Sequence, residues 1–268
     1  MKRQSILNPK LRYLQIALNG SIHDARAIIP TLPRSERILI EVGTPMIKRY
    51  GAEGIRKVRT WYERHLTGLP IEAETTPQNM DLREVIKQMR KMSEDRSRAA
   101  TQQSTPTIGP KPYIVADMKM MDRGDEEVRI AEEGGAHAVV ALGHAPIESL
   151  NQFITACKDL GLDSMVDMMN VPFPLAVLRE LRIQPNVVIL HRGVDETQLN
   201  KAKMLPLHEI RRIKGSYDTL IAVAGGDSIR EVQSAMFNDA DIVVVWKDFY
   251  SAGAQTASLA NDFLKHIK

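Results

Sequence analysis

The chain has 268 residues, of which 43% are hydrophobic and 26% charged, the composition of an ordinary folded protein and not of a disordered one. Thirty-six basic residues against 33 acidic ones leave a formal net charge of +3, too small and too dispersed to indicate a nucleic-acid partner. The single cysteine excludes an internal disulfide, and no Cys/His cluster has zinc-finger spacing, so we expect a cytoplasmic protein. We expect no signal peptide and, because no apolar stretch reaches the roughly 18 to 20 residues that cross a bilayer, no membrane contact.

Short apolar runs alternate with longer segments of helical period along the chain, which is typical of βα units around a parallel sheet. Several runs are apolar at nearly every position, as strands buried on both faces are. Eight such units favour closure into a barrel over an open, doubly wound sheet. We therefore predict an α/β fold, a single (β/α)8 TIM barrel domain over residues 1–268. The predicted strands are YLQIAL (13–18), ILIEVG (38–43), YIVADM (113–118), AHAVVALG (136–143), SMVDMM (164–169), NVVILH (186–191), TLIAVAGG (219–226) and DIVVVW (241–246).

One segment breaks this rhythm, because residues 67–110 separate the second helix from the third strand where a short loop is usual. Within this insertion, residues 80–100 have the apolar spacing of one amphipathic helix, and the flanks are rich in residues typical of linkers. The insertion leaves from the end of the barrel opposite the strand C-termini. The helix either packs on its own barrel or makes a subunit or partner contact through its Met/Leu stripe.

Polar and small residues stand where the predicted strands end, and in a barrel these positions gather at one rim. The loops that follow strand C-termini build the active sites of such barrels, so we expect the chemistry here. The positions are Asn19, Glu41 with Gly43, Asp117 with Lys119, Gly143 with His144, His191 with Arg192, and Gly225 with Gly226.

Charged residues are most concentrated in the run DMKMMD, residues 117–122. Residues two apart on a strand share a face, so Asp117 and Lys119 both point into the barrel mouth, and Asp122 can return from the loop. Two acids would then flank one ammonium. Such a cluster is either an internal salt bridge or a functional site, and the cost of burying three charges at a barrel rim favours function.

The D-x-K-x-x-D pattern of residues 117–122 resembles the active-site motif of the orotidine 5′-monophosphate decarboxylase superfamily. Further segments resemble more narrowly its branch of 3-hexulose-6-phosphate synthases and 3-keto-L-gulonate-6-phosphate decarboxylases. Together they cover nearly every predicted strand and leave the insertion and the last loop unmatched. These segments are IEVGTPMIKRYG (40–51), VADMKMMDRGDEEVRIAEEGGAHAVVALG (115–143), VDMMNV (166–171), HRGVDETQ (191–198) and AVAGGDS (222–228).

The resemblance implies a divalent metal, Mg²⁺ or Mn²⁺, held by Glu41 and Asp117, and carboxylate oxygens are the ligands that such hard cations prefer. It implies that Lys119 stabilises a developing enediolate oxygen electrostatically. Asp122 would orient Lys119 or substrate hydroxyls. Because this last acid reaches into the neighbouring subunit's site in dimers of the superfamily, the resemblance also implies a homodimer.

The resemblance further assigns His191 and Arg192 to proton transfer, a task that suits an imidazole near neutral pH. A histidine at a strand end, taken alone, is more often a structural group. Asp167, in the VDMMNV segment, is a candidate substrate-binding residue. The phosphate site should lie at the seventh and eighth strand ends, where the backbone amides of Gly225 and Gly226 can approach an anion.

The sequence departs from the family pattern at two strand ends. Asn19 stands where the first strand normally ends in Asp; its amide can bind a substrate hydroxyl but carries no charge. Trp246 and Lys247 stand where the eighth strand normally leads into a Gly-Gly or Gly-Arg phosphate clamp, and Lys247 could still offer a point charge to phosphate. Both departures put the sugar-phosphate substrate in doubt.

The function implied is that of an aldolase-type lyase joining or splitting D-ribulose 5-phosphate and formaldehyde through a metal-stabilised enediolate. Two alternatives remain open. One is a related decarboxylase or lyase of the same superfamily with a different substrate, including one without phosphate. The other is a non-catalytic descendant whose insertion binds a partner.

Overall fold

Eight parallel strands close into a barrel in chain order, with β8 paired to β1. The computed structural model describes residues 5–71, 110–200, 202–226, 228–246 and 256–267. Every strand pair around the barrel is parallel, so the predicted (β/α)8 architecture is confirmed. The strands are β1 (Tyr13–Leu18), β2 (Ile38–Val42), β3 (Ile114–Met120), β4 (Ala138–Leu142), β5 (Asp163–Asp167), β6 (Val187–His191), β7 (Leu220–Ala224) and β8 (Ile242–Val245).

Helices follow the strands and cover the outside of the barrel. Within the second of them, Gly51 has a φ of 56° and interrupts the helical backbone. No helix in the described ranges is long and apolar enough to cross a membrane. The described helices are α1 (Ile22–Ile28), α2 (Thr44–Thr67), α3 (Gly124–Glu133), α4 (Ile147–Leu160), α5 (Pro174–Glu180), α6 (Val194–Leu199), α7 (His208–Lys214), α8 (Ile229–Phe237) and α9 (Thr256–His266).

The strands are buried on both faces because they separate two hydrophobic cores. In β1, Leu14, Ile16 and Leu18 belong to the layer between sheet and helices, whereas Tyr13 and Ala17 belong to the core inside the barrel. This period of two explains why the strands are apolar at almost every position. A polar residue that points inward therefore stands out against an apolar background.

The N-terminal end of the barrel is closed by the chain that precedes β1. The buried carboxylate of Asp163 accepts hydrogen bonds from the Ser5 hydroxyl, the Ile6 backbone amide and the Tyr113 hydroxyl. These contacts fix the N-terminal segment under the barrel. The opposite end, at the strand C-termini, carries the cavity described below.

Residues 72–109 lie outside the described part of the chain. The predicted insertion does separate α2, which ends at Thr67, from β3, which begins at Ile114. The helix predicted over 80–100 and its subunit or partner contact remain predictions.

Candidate active site

A cavity of about 420 Å³ opens at the C-terminal ends of the strands. Acids, amides and a lysine from β1, β2, β3 and β5 line its wall, together with His191 and Arg192 at the end of β6. Apolar side chains line the wall between and beyond them: Val140, Ile189, Ala224, Val244 and, directly after β8, Trp246. The cavity therefore offers both charged groups and apolar surface to a ligand.

Lys119 is held between two carboxylates in the wall of the cavity. Its Nζ donates to Oδ1 of Asp117 at 2.9 Å and to Oδ2 of Asp167 at 2.7 Å. Burial opposes the charge of this ammonium, but Asp117, Asp167 and Glu41 outweigh burial and raise the pKa of Lys119 above its ordinary value. The lysine is thus a fixed cation at neutral pH, aimed into the cavity.

The backbone at the end of β3 takes the conformation that presents this lysine. Lys119 has a φ of 51°, and the register between β3 and β4 shifts between Ala116 and Met120. A left-handed conformation costs a residue with a side chain roughly 1–2 kcal/mol. The ion pairs with Asp117 and Asp167 offset this strain, and strained backbone of this kind is concentrated at functional sites.

His191, the last residue of β6, shares a carboxylate oxygen with Lys119. Its Nδ1 lies 2.8 Å from Oδ2 of Asp167. Burial disfavours the charge on Asp167, but His191 and Lys119 outweigh it and lower the pKa of this carboxyl to about 2. An ionised carboxylate at Nδ1 favours the tautomer with its proton on Nδ1, which leaves Nε2 to exchange protons.

Glu41 and Asp117 lie side by side on β2 and β3. Burial, and then the neighbouring charge of Asp117, raise the pKa of Glu41 to about 7. The Gln15 side-chain amide donates to Glu41, and the Thr44 hydroxyl donates to Asp117 at 2.9 Å. The Gln15 carbonyl oxygen is buried with no hydrogen-bond partner among the described atoms. This corner of the cavity is rich in oxygen ligands, and its cation, Lys119, is shared with Asp167.

Arg192 lines the cavity, and its guanidinium donates hydrogen bonds to four neighbouring groups of the protein. It donates to the Thr197 hydroxyl, the carbonyls of Lys203 and Gly225, and the carboxylate of Glu231. A guanidinium keeps its protons in proteins, so it is a poor acid or base. These contacts are structural ones, and the proton-transfer role that the resemblance implies for Arg192 stays a prediction.

Asp122 does not flank Lys119 within the chain, which corrects the expected pair of acids. It is exposed, lies outside the cavity and accepts only a long hydrogen bond, 3.4 Å, from Ser149 among the described contacts. Lys119 and Arg123, on either side of it in the chain, have left-handed backbone with φ of 51° and 55°. The second acid at Lys119 is Asp167 of β5.

The remaining predicted residues divide between the cavity and its surroundings. Asn19 and Gly225 line the cavity, and so does Trp246. Gly226 is buried just beyond, against Glu231 and Leu205. Lys247 lies outside the described residues, so its phosphate contact remains a prediction.

Sequence reasoning missed three contributors to the site. Gln15 is a polar residue in the middle of the apolar run YLQIAL, which is a signal that could have found it. Thr44 begins α2 directly after β2, and Thr197 lies one turn into α6, where nothing local distinguishes them from ordinary helix residues. Asp167 was found, but its shared contact with Lys119 and His191 depends on three strands meeting.

The chain matches the model of the orotidine 5′-phosphate decarboxylase / HUMPS family over residues 111–260, more than half of its length. It belongs to this family. The predicted recognition is thereby confirmed, and the match spans β3 to β8 with the Asp117, Lys119, Asp167 and His191 cluster.

Curated relatives include two named "Bifunctional enzyme Fae/Hps". The relative from Methanocella arvoryzae is 31% identical over 242 residues, which are 90% of this chain and 49% of that protein. The relative from Methanosphaera stadtmanae is 31% identical over 272 residues, which are 99% of this chain and 55% of that protein. The chain thus spans about half the length of the curated relatives it matches.

Solved structures share the fold at lower identity. A 3-hexulose-6-phosphate synthase superposes with a TM-score of 0.69 at 21% identity, covering 96% of this chain and 100% of that one. The 3-hexulose-6-phosphate synthase from Salmonella typhimurium gives 0.67 at 23%, covering 95% and 99%. The 3-keto-L-gulonate-6-phosphate decarboxylase (KGPDC) from Streptococcus mutans gives 0.62 at 17%, covering 96% and 99%. These likenesses agree with the barrel described above.

Proposed function

We propose that this chain is a carbon–carbon lyase of the 3-hexulose-6-phosphate synthase type, interconverting D-arabino-3-hexulose 6-phosphate with D-ribulose 5-phosphate and formaldehyde. The observation that carries the proposal is the cluster in which Asp167 holds both Lys119 and His191 inside the rim cavity. A fixed cation and a proton carrier within one cavity are what the formation of an enediolate requires.

The comparisons support this choice of reaction. The curated relatives carry "Hps" in their names, and structures of 3-hexulose-6-phosphate synthases share the fold over nearly the whole chain. A relative with two named activities is about twice as long as this chain, so only part of its chemistry is proposed here.

His191 moves the proton. Its Nε2 removes a proton from C1 of ribulose 5-phosphate, and the electron pair left on C1 spreads to the C2 oxygen to give a 1,2-enediolate. C1 then attacks the carbon of formaldehyde, and the formaldehyde oxygen takes up the proton that His191 holds. Cleavage of the hexulose phosphate follows the same steps in reverse, so one imidazole serves as base and as acid.

Lys119 stabilises the negative charge that develops on the enediolate. Because Asp117 and Asp167 already fix its ammonium, the lysine needs no reorganisation when that charge appears. Asp167 holds the imidazole in one orientation and balances the imidazolium that forms when His191 takes the proton. The three side chains thus act as one unit.

Glu41 and Asp117 fit a divalent cation such as Mg²⁺ or Mn²⁺. Burial first, and then the charge of Asp117, raise the pKa of Glu41, so a cation here would relieve both. The unpartnered Gln15 oxygen adds to the supply of hard ligands. No group of three His, Cys, Asp or Glu in the described ranges is arranged for a metal, so substrate and water oxygens would complete the set that Mg²⁺ commonly keeps. When bound, the cation would supply positive charge beside the oxygens of the enediolate.

The substrate phosphate would lie at the β7 end of the cavity. Gly225 lines the cavity there, and the turns after the seventh and eighth strands are the usual phosphate site of this fold. Glu41 and Asp117 lie on β2 and β3, across the barrel from β7, so this placement keeps the phosphate away from their charges.

Asp122 supports the proposal of a homodimer. Its exposed carboxylate accepts one long hydrogen bond, from Ser149, among the described contacts, which leaves it able to reach the site of a second copy. The closed two-fold symmetry that is commonest among homo-oligomers would place two such contacts in each dimer.

A second candidate function is favoured by Trp246. Its side chain lines the cavity where an anion would meet the turn after β8, and the neutral Asn19 lines it where the family has an acid. A lyase or decarboxylase of the same family with a different substrate, including an unphosphorylated one, would account for both. Thermal shift with phosphorylated and unphosphorylated ketoses separates the two candidates, because only true ligands raise the melting temperature.

Exchange of the C1 proton tests the proposed function without formaldehyde. In D₂O with Mg²⁺, the parent should exchange one of the two C1 protons of ribulose 5-phosphate for deuterium, and NMR should show the loss of its signal. His191→Ala should show no such loss. A folded, Mg²⁺-supplied parent that leaves this proton in place would overturn the proposal.

A further inference from the structure

The Arg192 guanidinium is a junction between four segments of the rim. Nε donates to the Thr197 hydroxyl of α6 at 3.1 Å, and Nη1 donates to the Lys203 carbonyl at 3.3 Å. Nη2 donates to the Gly225 carbonyl at 2.6 Å and to Oε1 of Glu231 at 2.9 Å. The side chain is only 12% exposed, so these bonds are shielded from water.

The backbone of Arg192 holds the same turn. Its amide donates to the Ala224 carbonyl at 3.1 Å, which extends the pairing of β6 with β7 beyond His191. Gly225 follows with a φ of 90°, and a Cβ there would lie 2.1 Å from the Arg192 carbonyl oxygen. Arg192 therefore fixes the position and the peptide orientation of Gly225 from two directions.

Glu231 fixes Arg192 in turn. It stands in the first turn of α8, directly after the β7 turn, and its side chain is 32% exposed against 12% for Arg192. The Glu231–Arg192 ion pair thus ties the start of α8 to the end of β6. Because a guanidinium binds in a planar fork, lysine cannot make all of these contacts at once.

The charges around Arg192 and Lys119 indicate where in the cavity an anion would bind. Apart from histidine, the cationic side chains that line the described part of the cavity are Lys119 and Arg192. Lys119 lies within the field of three carboxylates, whereas Arg192 faces one. The surroundings of Arg192 are therefore less negative than those of Lys119.

We propose that Arg192 and Glu231 are positioning residues for substrate phosphate: Glu231 holds the guanidinium, and the guanidinium holds the Gly225 turn in the shape that receives the anion. This inference rests on the proposed function for the identity of the substrate. It assigns Arg192 to binding and not to proton transfer, and it adds Glu231, which no motif in the sequence marks.

The test compares Arg192→Lys and Glu231→Gln with the parent. Glu148→Gln is the matched control, because Glu148 also lies in the first turn of a helix, is exposed and is remote from the cavity. Two readouts are needed: steady-state kinetics with ribulose 5-phosphate and formaldehyde, and calorimetric titration of each protein with inorganic phosphate alone. Melting temperatures check that each variant folds.

Both variants should raise KM for ribulose 5-phosphate about tenfold, the effect of losing one charge-assisted hydrogen bond, while kcat stays within about threefold. KM for formaldehyde should not change, and the Kd for inorganic phosphate should rise by a similar factor. Glu148→Gln should match the parent in every readout.

The outcomes separate this inference from the proposed function. A fall in kcat at unchanged KM, or variants with parental KM and phosphate affinity, would overturn the positioning role while leaving the reaction intact. A parent that binds phosphate but does not turn over ribulose 5-phosphate, with variants that bind phosphate more weakly, would overturn the reaction and support the positioning role. A folded parent that binds no phosphate would overturn the positioning role directly.

Discussion

The carboxylate of Asp167 lies 2.7 Å from the ammonium nitrogen of Lys119, and the same oxygen lies 2.8 Å from Nδ1 of His191. This oxygen is buried, and it joins the cation of β3 to the proton carrier of β6. Replacing this oxygen should therefore impair Lys119 and His191 together. Catalytic residues that act as a unit show such non-additive effects when one of them is substituted.

Asp167→Asn should lower kcat by about 10³- to 10⁴-fold, because an amide neither balances an imidazolium nor selects the right tautomer of His191. KM for ribulose 5-phosphate should change little, since the described hydrogen bonds of the Asp167 side chain reach Lys119, Met169 and His191 and not the Gly225 turn. Steady-state kinetics measure both, with Asp159→Asn on the exposed face of α4 as the control. A loss of less than tenfold would show that Asp167 is not the link between Lys119 and His191.

Asp167 should also make the fold sensitive to acid. Its folded pKa of about 2 lies below its ordinary value of 3.8, so its contribution to stability is complete above that value and is lost as pH falls through 2. The shift corresponds to about 2 kcal/mol of the free energy of unfolding. Urea denaturation at pH 5 and at successively lower pH measures the free energy of unfolding of the parent and of Asp167→Asn. The difference between the two proteins should shrink by about this amount as pH falls. A constant difference between the two proteins would contradict the assignment.

The sequence was sufficient for the barrel because the strands are buried on both faces and polar residues interrupt them at the rim. It also placed Asp117 and Lys119 correctly, since their contact is local. Sequence reasoning named Asp122 as the second acid and gave Asp167 only as a substrate-binding candidate, because Asp167 is 48 residues from Lys119 and meets it only when the barrel forms. Asp122 lies between two residues with left-handed backbone, Lys119 and Arg123, and neither residue type predicts that conformation. The junction role of Arg192 was likewise hidden, since its partners lie on four separate segments.

Gly225→Ala should be more destabilising than Gly161→Ala. Both glycines have positive φ, 90° and 77°, so both variants carry the cost of roughly 1–2 kcal/mol for a left-handed alanine. A Cβ at Gly161 meets nothing within 4 Å, whereas one at Gly225 collides with the Arg192 backbone. Denaturant titration should show a larger loss in the free energy of unfolding for Gly225→Ala, and this variant should also have a raised KM for ribulose 5-phosphate. Equal losses of stability in the two variants would mean that the turn at Gly225 is free to move.

Mixing two inactive variants should test whether Asp122 serves a neighbouring subunit. If it does, Asp122→Ala and Lys119→Ala should each be inactive alone, and refolding them together should restore about a quarter of parental activity, because half the dimers are mixed and each has one complete site. Size-exclusion chromatography and tagged subunits would verify that mixed dimers form. Mixed dimers without activity would contradict a shared site.

Formaldehyde-dependent consumption of ribulose 5-phosphate, with and without Mg²⁺, in the parent and in Lys119→Ala, tests the central claim most directly. We predict turnover in the parent that requires Mg²⁺, and its loss in Lys119→Ala because the enediolate then forms without its fixed cation. A folded parent that consumes no ribulose 5-phosphate with Mg²⁺ and formaldehyde present would contradict the account, and so would a Lys119→Ala variant as active as the parent.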